Sequence, residues 1–411
     1  MKNIIQLDKS IQEKSVELER WFGEQKKNLE LPMYSSYDIR NSNYKAVVID
    51  SNAFPAGFNN ICDDSFPIAE AAIKSFIASN FSGALNVGII SELTNNPHYY
   101  DNIAVIKELF EKSGLNVKIG SIEKPVNDKV SSFSKGDIKI EQFLRKEDKV
   151  VLGDFDPDFI VPNNDFSSSD ISILAGVKQP ITPNFNLGWF KRKKHYHFKV
   201  KNELLKEIAK ILGIDRWLIG AYYEYAEEVN FKKRENFDII ARKIDECIAQ
   251  VQSKYNEYGI KELPFVFVKG SASTYGMNAI PFRSGREFLN INSKQRAKMH
   301  KSKGGKMVSE VLIQEGIVTR DVVDNKVAEP VVYCIGDKPI GGFFRANEEK
   351  NERENLNATG MTFASNLFCP PAFRENKTFE GSNITAEKIR VYAFLARLGV
   401  IAVGKELEGL K

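Results

Sequence analysis

The sequence predicts a multi-lobed protein of mixed α/β (α+β) class. The chain has 411 residues, whereas a single hydrophobic core usually stops growing at about 250–300 residues. Apolar strands alternate with helical patterns in its first third, which is typical of a mostly parallel sheet. The periodicity then changes twice. We therefore expect an N-terminal α/β lobe at 1–198, a helical connecting segment at 199–262 and a C-terminal α+β lobe at 263–411.

The N-terminal lobe begins with a charged amphipathic pattern over residues 10–30 that predicts a helix. Strands and helices then alternate in the order that builds a βαβαβ unit. The predicted strands are KAVVID (45–50), LNVGII (85–90) and NVKIG (116–120), and the helices between them lie near 69–79 and 102–113. Residues 163–198 are rich in Asn, Asp, Ser and Pro and then become basic, as a connection between lobes would.

The later elements follow from the changes in periodicity. Residues 202–258 have a strongly helical pattern. Beyond residue 263 we expect strands FVFVK (265–269), EVLIQEG (310–316), AEPVVYCIGD (328–337) and PIGGFFRAN (339–347), with helices near 285–300 and 386–406. This mixture of strands and helices predicts the separate C-terminal lobe.

Composition excludes several classes of function. The net charge is +4, from 58 basic and 54 acidic residues, so bulk charge does not favour nucleic acid. The amino terminus has no apolar signal region, and no stretch reaches the roughly 18 apolar residues of a membrane span. The four cysteines are scattered without a CxxC pair, which indicates neither a disulfide framework nor a zinc site. We expect a cytoplasmic protein.

The first candidate site is the run VKGSASTYGM (268–277), a strand that ends in Lys269 and enters a loop of small residues. Small residues let backbone N–H groups approach phosphate oxygens, and the lysine supplies a positive charge. The order of residues is not that of a Walker A loop. A simple turn between a strand and a helix is the alternative. The candidate phosphate-binding residues are Lys269, Ser271, Ser273, Thr274, Tyr275 and Gly276.

The strand that follows ends in Gln314, Glu315 and Gly316. An apolar strand that ends in this way can offer backbone donors and acceptors to an adenine edge, as hinge strands between lobes do. An ordinary core strand is the alternative. Beside the Lys269 loop, the two runs together favour one nucleotide site.

A third element carries Arg345 at the exit of a strand, followed by Glu354, Asn355 and Asn357. A guanidinium suits a transferring phosphoryl group or an acyl phosphate. Carboxylate and amide oxygens suit Mg²⁺, which prefers hard ligands beside substrate phosphates. Because residues 348–354 are nearly all charged, a solvated surface hairpin is the alternative.

Polar loops follow the first two predicted strands of the N-terminal lobe. Loops at the carboxyl ends of parallel strands bind ligands in open α/β sheets, and amide side chains can hold the charged groups of an amino acid. A tight connection encoded by Asn, Pro and Gly is the alternative. The candidate substrate-binding residues in these loops are Asn52, Phe54, Asn59, Asn60, Glu92 and Asn95.

The run GWFKRKKHYHF (188–198) mixes cations with aromatic residues. This composition suits single-stranded nucleic acid or a small anionic substrate. Since the chain lacks a basic surplus, we expect the small substrate and take Arg192 as a binding candidate. His195 and His197 would share one face if this run were a strand, but no third metal ligand lies nearby.

Five runs together resemble the proteobacterial family of glutamate–cysteine ligases, whose nucleotide site is similar to the ATP-grasp fold. They are DSNAFPAGFNN (50–60), FVFVKGSASTYGM (265–277), VLIQEGIVT (311–319), AEPVVYCIGDKPIGGFFRA (328–346) and ENLNATGM (354–361). The resemblance is collinear over about residues 33–407. It implies ATP- and Mg²⁺-dependent formation of γ-glutamylcysteine from L-glutamate and L-cysteine, the first step of glutathione synthesis, through an acyl phosphate. Such chemistry requires positioning and charge neutralisation rather than a nucleophilic residue.

The resemblance also implies roles for individual residues. Lys269 matches the ATP-grasp lysine, Gln314 and Glu315 the adenine hinge, and Arg345 the cation near the γ-phosphate. ATP-grasp sites usually end in a Glu-x-Asn strand, and this spacing is missing after Gly360. The metal candidates are therefore Glu329, Glu354, Asn355 and Asn357.

Two other functions remain open at this point. A ligase for another amino acid or a dipeptide, similar to glutathione synthetase, would share the fold, because pocket side chains set the choice of substrate. A non-catalytic module that binds ATP or RNA would use the basic and aromatic run. The oligomeric state is also open, and a homo-oligomer is compatible with the sequence.

Overall fold

The computed structural model describes residues 4–167, 170–272, 279–300, 307–365, 368 and 381–411. The helices are α1 (Ile4–Glu13), α2 (Ser15–Lys26), α3 (Phe66–Asn80), α4 (Pro97–Lys112), α5 (Lys194–Leu212), α6 (Phe237–Tyr258), α7 (Gly285–Leu289), α8 (Ser293–His300) and α9 (Ala386–Leu410). The strands are β1 (Tyr34–Asn41), β2 (Ala46–Asn52), β3 (Asn86–Ser91), β4 (Asn116–Ser121), β5 (Lys129–Ser131), β6 (Asp137–Lys139), β7 (Glu141–Gln142), β8 (Leu144–Lys146), β9 (Lys149–Val151), β10 (Phe159–Asn163), β11 (Tyr223–Ala226), β12 (Val266–Gly270), β13 (Ile280–Phe282), β14 (Val311–Glu315), β15 (Asp321–Val323), β16 (Lys326–Ile335), β17 (Lys338–Asn347) and β18 (Met361–Ala364).

The central sheet has the strand order β18-β17-β16-β1-β2, and β15 pairs with β16. It takes β1 and β2 from the first predicted segment and β15 to β18 from the third. Strand β1 is antiparallel to both β2 and β16. Helix α9 packs on one face of this sheet, where Tyr392, Leu395 and Val400 lie in a core cluster with Tyr37 and Ile39. This packing fixes the end of the chain against β1.

A second sheet is parallel throughout, in the order β10-β3-β4-β7. Helices α3 and α4 cover it, and their Ile73 and Phe110 join Val87 and Ile119 in one core cluster. The predicted parallel sheet is thus confirmed, but one of its strands was wrongly assigned. Strand β2 belongs to the antiparallel central sheet, because an apolar run alone does not distinguish parallel from antiparallel pairing.

A third sheet has the order β11-β14-β12-β13, and helix α6 packs on it. Both strands that carry the predicted nucleotide motifs lie side by side here, since β12 pairs with β14. The helix predicted near 285–300 is two helices, α7 and α8, with a break at residues 290–292. Strand β11 lies in the segment that was predicted to be helical.

Two expectations about the periphery change in detail. The helix predicted over residues 10–30 is divided into α1 and α2. Cys62 is disulfide-bonded, which the scattered cysteines did not indicate, whereas Cys247 and Cys334 are free and buried. Within the described residues, none of the helices combines the length and the apolar content that crossing a bilayer requires.

Candidate active site

Two adjoining cavities lie where the three sheets meet. The lysine cavity, with about 560 Å³ of empty space, is lined by Arg40, Ile49, Phe267, Lys269, Ala279, Gln314, Glu315, Ile317, Glu329 and Asn355. The arginine cavity, with about 670 Å³, is lined chiefly by Ser36, Asn52, Phe54, Asp165, Trp189, Arg192, Tyr333, Phe343 and Arg345. Asp38, Asp50 and Asn357 line both.

Lys269 lies near the end of β12 and faces the lysine cavity, as predicted for a phosphate-binding residue. Its Nζ donates to the carbonyl oxygen of Ile49 at 3.1 Å. Burial lowers the pKa of Lys269 to about 8, although the neighbouring Asp50 favours the charged form. A buried cation that is held by one neutral carbonyl would gain from a phosphate in its place.

Ser271 begins the loop of small residues and is fully buried. Its N–H donates to Glu310 and its carbonyl accepts from the N–H of Lys194 at 2.7 Å. Its hydroxyl lies 2.9 Å from Nδ1 of His195. These bonds fix the root of the loop. The other predicted loop residues, Ser273, Thr274, Tyr275 and Gly276, lie outside the described residues.

The end of β14 runs along the lysine cavity, as the hinge prediction requires, but its groups are already engaged. The carboxylate of Glu315 accepts from Lys45 Nζ at 2.8 Å and from Trp217 Nε1 at 3.0 Å. The backbone N–H of Gly316 donates to Phe265, and a Cβ on this glycine would overlap the Phe265 ring. Gln314 keeps its place in the wall of the cavity. The carboxylate of Glu315 is thus used to hold the end of β14 in place and is not left to bind a base.

Arg345 lies on β17 and lines the arginine cavity. Its Nη1 donates to Glu329 Oε1 at 2.8 Å and to Asp38 Oδ2 at 3.2 Å. The other oxygen of Glu329 accepts from Arg40 Nε at 2.8 Å. Within the described residues, two buried atoms of this network lack a hydrogen-bond partner, namely Arg345 Nε and Asp38 Oδ1. Such atoms at a cavity wall indicate room for a polar ligand.

Three of the four predicted metal ligands, Glu329, Asn355 and Asn357, line the lysine cavity. Both carboxylate oxygens of Glu329 are bound by arginines. Glu354 is different, because its carboxylate accepts from Lys350 and from the backbone of Asn351, and it lies in neither cavity wall. Among the residues that the structure describes, no cluster of three or more His, Cys, Asp or Glu side chains could hold a metal by itself.

Asp50 connects the two cavities from the β2 side. Its carboxylate accepts from Lys194 Nζ, and Lys194 is itself buried. Burial alone would raise the pKa of Asp50, but Lys194 and Lys269 hold it well below its usual range. Asp38 differs, because burial raises its pKa and Arg345 only partly compensates. In the shared wall, the negative charge of Asp50 is therefore well balanced by neighbouring cations, whereas that of Asp38 is poorly balanced.

The structure brings three of the predicted substrate residues to the arginine cavity, namely Asn52, Phe54 and Arg192. The others do not reach a cavity wall that the described residues form. Asn59 and Asn60 lie in a short 3₁₀ helix, Asn95 is exposed, and Glu92 accepts from the backbone of Asp165 at 3.4 Å. Glu92 thus contacts a cavity residue without itself lining the cavity.

Arg192 is fully buried and takes part in a network that joins three elements. It donates to both carboxylate oxygens of Glu406 in α9, at 2.8 and 2.9 Å, and to Ser51 in β2. His197 joins the same carboxylate at 2.8 Å. His195 and His197 lie in α5 and not on a strand, so they do not share one face, because residues two apart in a helix point in different directions.

Sequence reasoning did not select five charged residues of the site, namely Asp38, Arg40, Asp50, Asp165 and Lys194. Asp38 and Arg40 belong to β1, a strand without an apolar run, and Lys194 lies in the basic and aromatic run from which Arg192 alone was taken as a binding candidate. The sequence signal for Lys194 was its place in the same short run as Trp189, and in the structure its Nζ lies 4.8 Å from the Trp189 ring centre.

Comparison with known proteins now identifies the family. The family model described as GshA, glutamate-cysteine ligase, matches residues 8–407. The chain belongs to the glutamate–cysteine ligase family. Its membership implies an enzyme that uses ATP to join a carboxylate to an amine, and the predicted ligase class is confirmed.

The solved structures include a protein that is similar over nearly its whole length. A protein from Methylobacillus flagellatus KT, provisionally named gamma-glutamylcysteine synthetase, is 31% identical and has a TM-score of 0.88. The match covers 100% of this chain and 97% of that chain. The predicted mixed α/β ligase fold is confirmed by this likeness.

Two other solved structures are more distant. A glutathione synthetase-like effector from Globodera pallida is 9% identical with a TM-score of 0.40, over 88% of this chain and 79% of that one. D-alanyl-alanine synthetase A from Vibrio cholerae O1 biovar eltor is 12% identical with a TM-score of 0.36, over 76% and 80%. We draw no conclusion from these two. A search of curated proteins gave no significant match.

Proposed function

We propose that this glutamate–cysteine ligase family member makes γ-glutamylcysteine from ATP, L-glutamate and L-cysteine through γ-glutamyl phosphate, the first step of glutathione biosynthesis. The observation that carries the proposal is the common wall of the two cavities, formed by Asp38, Asp50 and Asn357. A nucleotide in one cavity and an amino acid in the other would meet at this wall.

The lysine cavity suits ATP. Ile49, Phe267 and Ile317 supply apolar surface for a base, and Lys269 supplies a buried cation at the start of the loop of small residues. A positive charge that is partly removed from water interacts more strongly with phosphate than an exposed one. The hinge strand β14 forms one side of the same cavity.

The arginine cavity suits the amino-acid substrates. It combines the carboxylates of Asp38 and Asp165 and the guanidinium of Arg345 with the aromatic rings of Trp189 and Tyr333. Amino acids carry one ammonium and at least one carboxylate, so a binding site for them needs both charges. This cavity offers both within one enclosure.

The reaction would proceed by two displacements. The γ-carboxylate of glutamate attacks the γ-phosphorus of ATP and ADP leaves. The cysteine nitrogen, after losing one proton to solvent, then forms the C–N bond. The bond from the acyl carbon to the phosphate oxygen breaks, and inorganic phosphate leaves with the electron pair and the second nitrogen proton. Lys269 and Arg345 would neutralise the charge that develops on the phosphate and acyl oxygens.

Mg²⁺ fits the donor set of the lysine cavity. It usually binds through one or two protein oxygens, with substrate phosphates and water completing the octahedron. Asn355 and Asn357 carry amide oxygens there, and Asn355 Oδ1 also accepts from the N–H of Asn357 at 3.0 Å. Glu354 faces elsewhere, and Glu329 is bound by two arginines. When bound, the ion would neutralise phosphate charge. We propose Mg²⁺ on this basis, and a cytoplasmic reaction.

The test is turnover of the purified chain with ATP, Mg²⁺ and pairs of amino acids. We expect ADP release that requires both glutamate and cysteine, with γ-glutamylcysteine identified by mass spectrometry. A panel of other amino acids and of γ-glutamylcysteine with glycine covers the related ligase reactions. Turnover with another pair, and none with glutamate and cysteine, would overturn the substrate assignment.

A variant pair tests the assigned phosphate-binding lysine. Lys269→Met should reduce kcat at least about 100-fold, because it removes a buried cation from the phosphate site. The matched control is Lys254→Met, since Lys254 lies on α6 and pairs with Asp215 outside both cavities. Full activity of Lys269→Met would refute the role.

A further inference from the structure

Asp38 is distinguished from the other acidic residues of the site by its position and its contacts. It lines both cavities. Its Oδ2 accepts from Arg345 Nη1 at 3.2 Å, but that same Nη1 lies closer, at 2.8 Å, to Glu329. Its Oδ1 is buried and has no hydrogen-bond partner among the described residues. One carboxylate oxygen is therefore held while the other is left for a ligand.

The charges around Asp38 favour a positively charged ligand. Arg345 approaches it from β17, while Glu329 on β16 and Asp50 on β2 are negative neighbours that oppose its ionisation. Glu329 is compensated by Arg40 and Asp50 by Lys194. Of these three carboxylates, Asp38 has a single ion-pair partner among the described residues, Arg345, which it shares with Glu329, and Lys269 acts on it only at longer range. A buried carboxylate in this situation gains strongly from a charge-assisted hydrogen bond.

We propose that Asp38 Oδ1 receives the amino group of the acceptor amino acid and thereby aims its nitrogen at the acyl phosphate. This inference rests on the proposed function. In this arrangement Asp38 Oδ1 accepts a hydrogen bond from the attacking amino group. The Nε of Arg345, on the same cavity wall, donates to an oxygen of the acyl group.

The choice of acceptor over donor follows from where Asp38 lies. The acyl carbon must be next to the γ-phosphate, and therefore at the wall common to both cavities. Reacting atoms approach within about 3–3.5 Å in a productive complex, so the attacking nitrogen must be at this wall as well. The α-amino group of glutamate is several bonds from its γ-carboxylate and would lie deeper in the arginine cavity.

The variant Asp38→Asn tests the inference because the two half-reactions can be separated. Hydroxylamine, which is small and uncharged at neutral pH, captures γ-glutamyl phosphate as a hydroxamate without the acceptor site. We expect the KM for cysteine to rise about tenfold to a hundredfold. The ratio of cysteine product to hydroxamate should fall about tenfold or more, since hydroxylamine bypasses the assigned contact.

Other outcomes contradict the inference. If Asp38→Asn raises the KM for glutamate and abolishes hydroxamate, Asp38 serves the donor or the nucleotide. An unchanged KM for cysteine also overturns the assignment. Failure of the proposed function is a separate result, because wild-type protein would then show no turnover with glutamate and cysteine.

A matched control and a second measurement protect the test against misfolding. Asp321→Asn makes the same change at a fully buried carboxylate bound to Lys388 and Tyr392, away from both cavities. It should lower stability without changing the ratio of cysteine to hydroxylamine products. On wild-type protein, 3-mercaptopropionate, which is cysteine without its amino group, should bind about tenfold or more weakly than cysteine. Equal affinity would overturn the inference.

Discussion

Two buried lysines hold consecutive carbonyl groups of β2. Lys269 donates to Ile49 and Lys201 donates to Val48 at 2.7 Å. Burial lowers the pKa of Lys201 to about 7, and the charge of Lys269 lowers it further. Both cations lie near the ring of Phe198, with Lys201 Nζ at 4.0 Å and Lys269 Nζ at 5.8 Å from the ring centre. Without nucleotide, the two buried positive charges are poorly solvated and Lys269 repels Lys201. The negative charge of the ATP phosphates would stabilise both.

The lowered pKa of Lys269 predicts that ATP binding takes up protons. The lysine is half protonated at a pH near its pKa of about 8. Phosphate raises the pKa, so binding at that pH should take up roughly half a proton at this site, and ATP affinity should fall as pH rises through 8. Isothermal titration calorimetry in buffers of different ionisation enthalpy measures the uptake. Lys269→Met should lose this contribution, and an unchanged uptake would contradict it.

At the residue scale, the sequence predicted those site residues that carry a charge and directly follow an apolar strand. Lys269 follows four apolar residues and Arg345 follows the buried strand GGFF, so both stood out. Asp38 and Arg40 could not be found in this way. Their strand carries polar residues on both faces, and their partners Arg345 and Glu329 are about 300 residues away in the chain.

Strand β1 shows why one element escaped prediction. All eight residues of YSSYDIRN are buried, yet five of them are Ser, Asp, Arg or Asn. Strand signals in a sequence depend on apolar alternation or an apolar run. Here the polar side chains are stabilised by partners, such as Arg40 by Glu329 and Asn41 by Asp321. Only the folded chain supplies those partners, so the sequence pattern did not indicate a strand.

Helix α9 approaches β1 closely at Gly399. A Cβ at this position would overlap the ring of Tyr37, the residue before Asp38. Small residues allow such close packing between a helix and a sheet. The short distance between α9 and β1, the strand that carries Asp38, therefore depends on the absence of a side chain at Gly399.

This contact predicts the effect of one added methyl group. Gly399→Ala should destabilise the protein by about 1–3 kcal/mol, because the methyl group forces the helix or the Tyr37 ring to move. The matched control is Gly23→Ala in α2, where no atom lies within 4 Å of the new Cβ. That change should be neutral or stabilise by up to about 1 kcal/mol. Urea unfolding of both variants measures the difference, and equal midpoints would refute the packing argument.

For the molecule as a whole, the network of Arg192, His197 and Glu406 connects the last helix to the cavities. Glu406 and Arg192 are each at most 2% exposed in their side chains. Burial alone would raise the pKa of Glu406, but Arg192 and His197 hold it at about 2. Ser51, which accepts two bonds from Arg192, lies between Asp50 and Asn52 of the cavity walls. The end of the chain therefore helps to position the site.

The depressed pKa of Glu406 predicts a dependence of stability on pH. A carboxylate with a lowered folded-state pKa stabilises the fold above its unfolded value, here 4.5, and this contribution is lost as pH falls toward 2. Glu406→Gln should therefore lose about 3 kcal/mol at pH 7. Its deficit relative to wild type should shrink between pH 4.5 and 2.

Urea unfolding at several pH values measures this deficit. Glu408→Gln, an exposed position on the same helix, is the control and should behave as wild type. A deficit that stays constant as the pH falls would mean that the charge of Glu406 is not what stabilises the helix.

At this largest scale, the sequence predicted the ligase class and the parallel sheet but not how the sheets connect. Local periodicity carries the first kind of information, whereas the pairing of β1 with β16 depends on contacts between residues about 300 positions apart. The lobe boundaries at 198 and 262 stay predictions. The central sheet takes strands from either side of them.

The pairing of β1 with β16 also has a consequence during synthesis. Strand β1 leaves the ribosome about 300 residues before its second partner, which at about 5–20 residues per second is a delay of roughly 15–60 seconds. An apolar strand with an open edge would aggregate in that time. The serines, charges and amide of YSSYDIRN keep the waiting edge hydrated. The polar composition that hid the strand from sequence analysis thus protects the nascent chain.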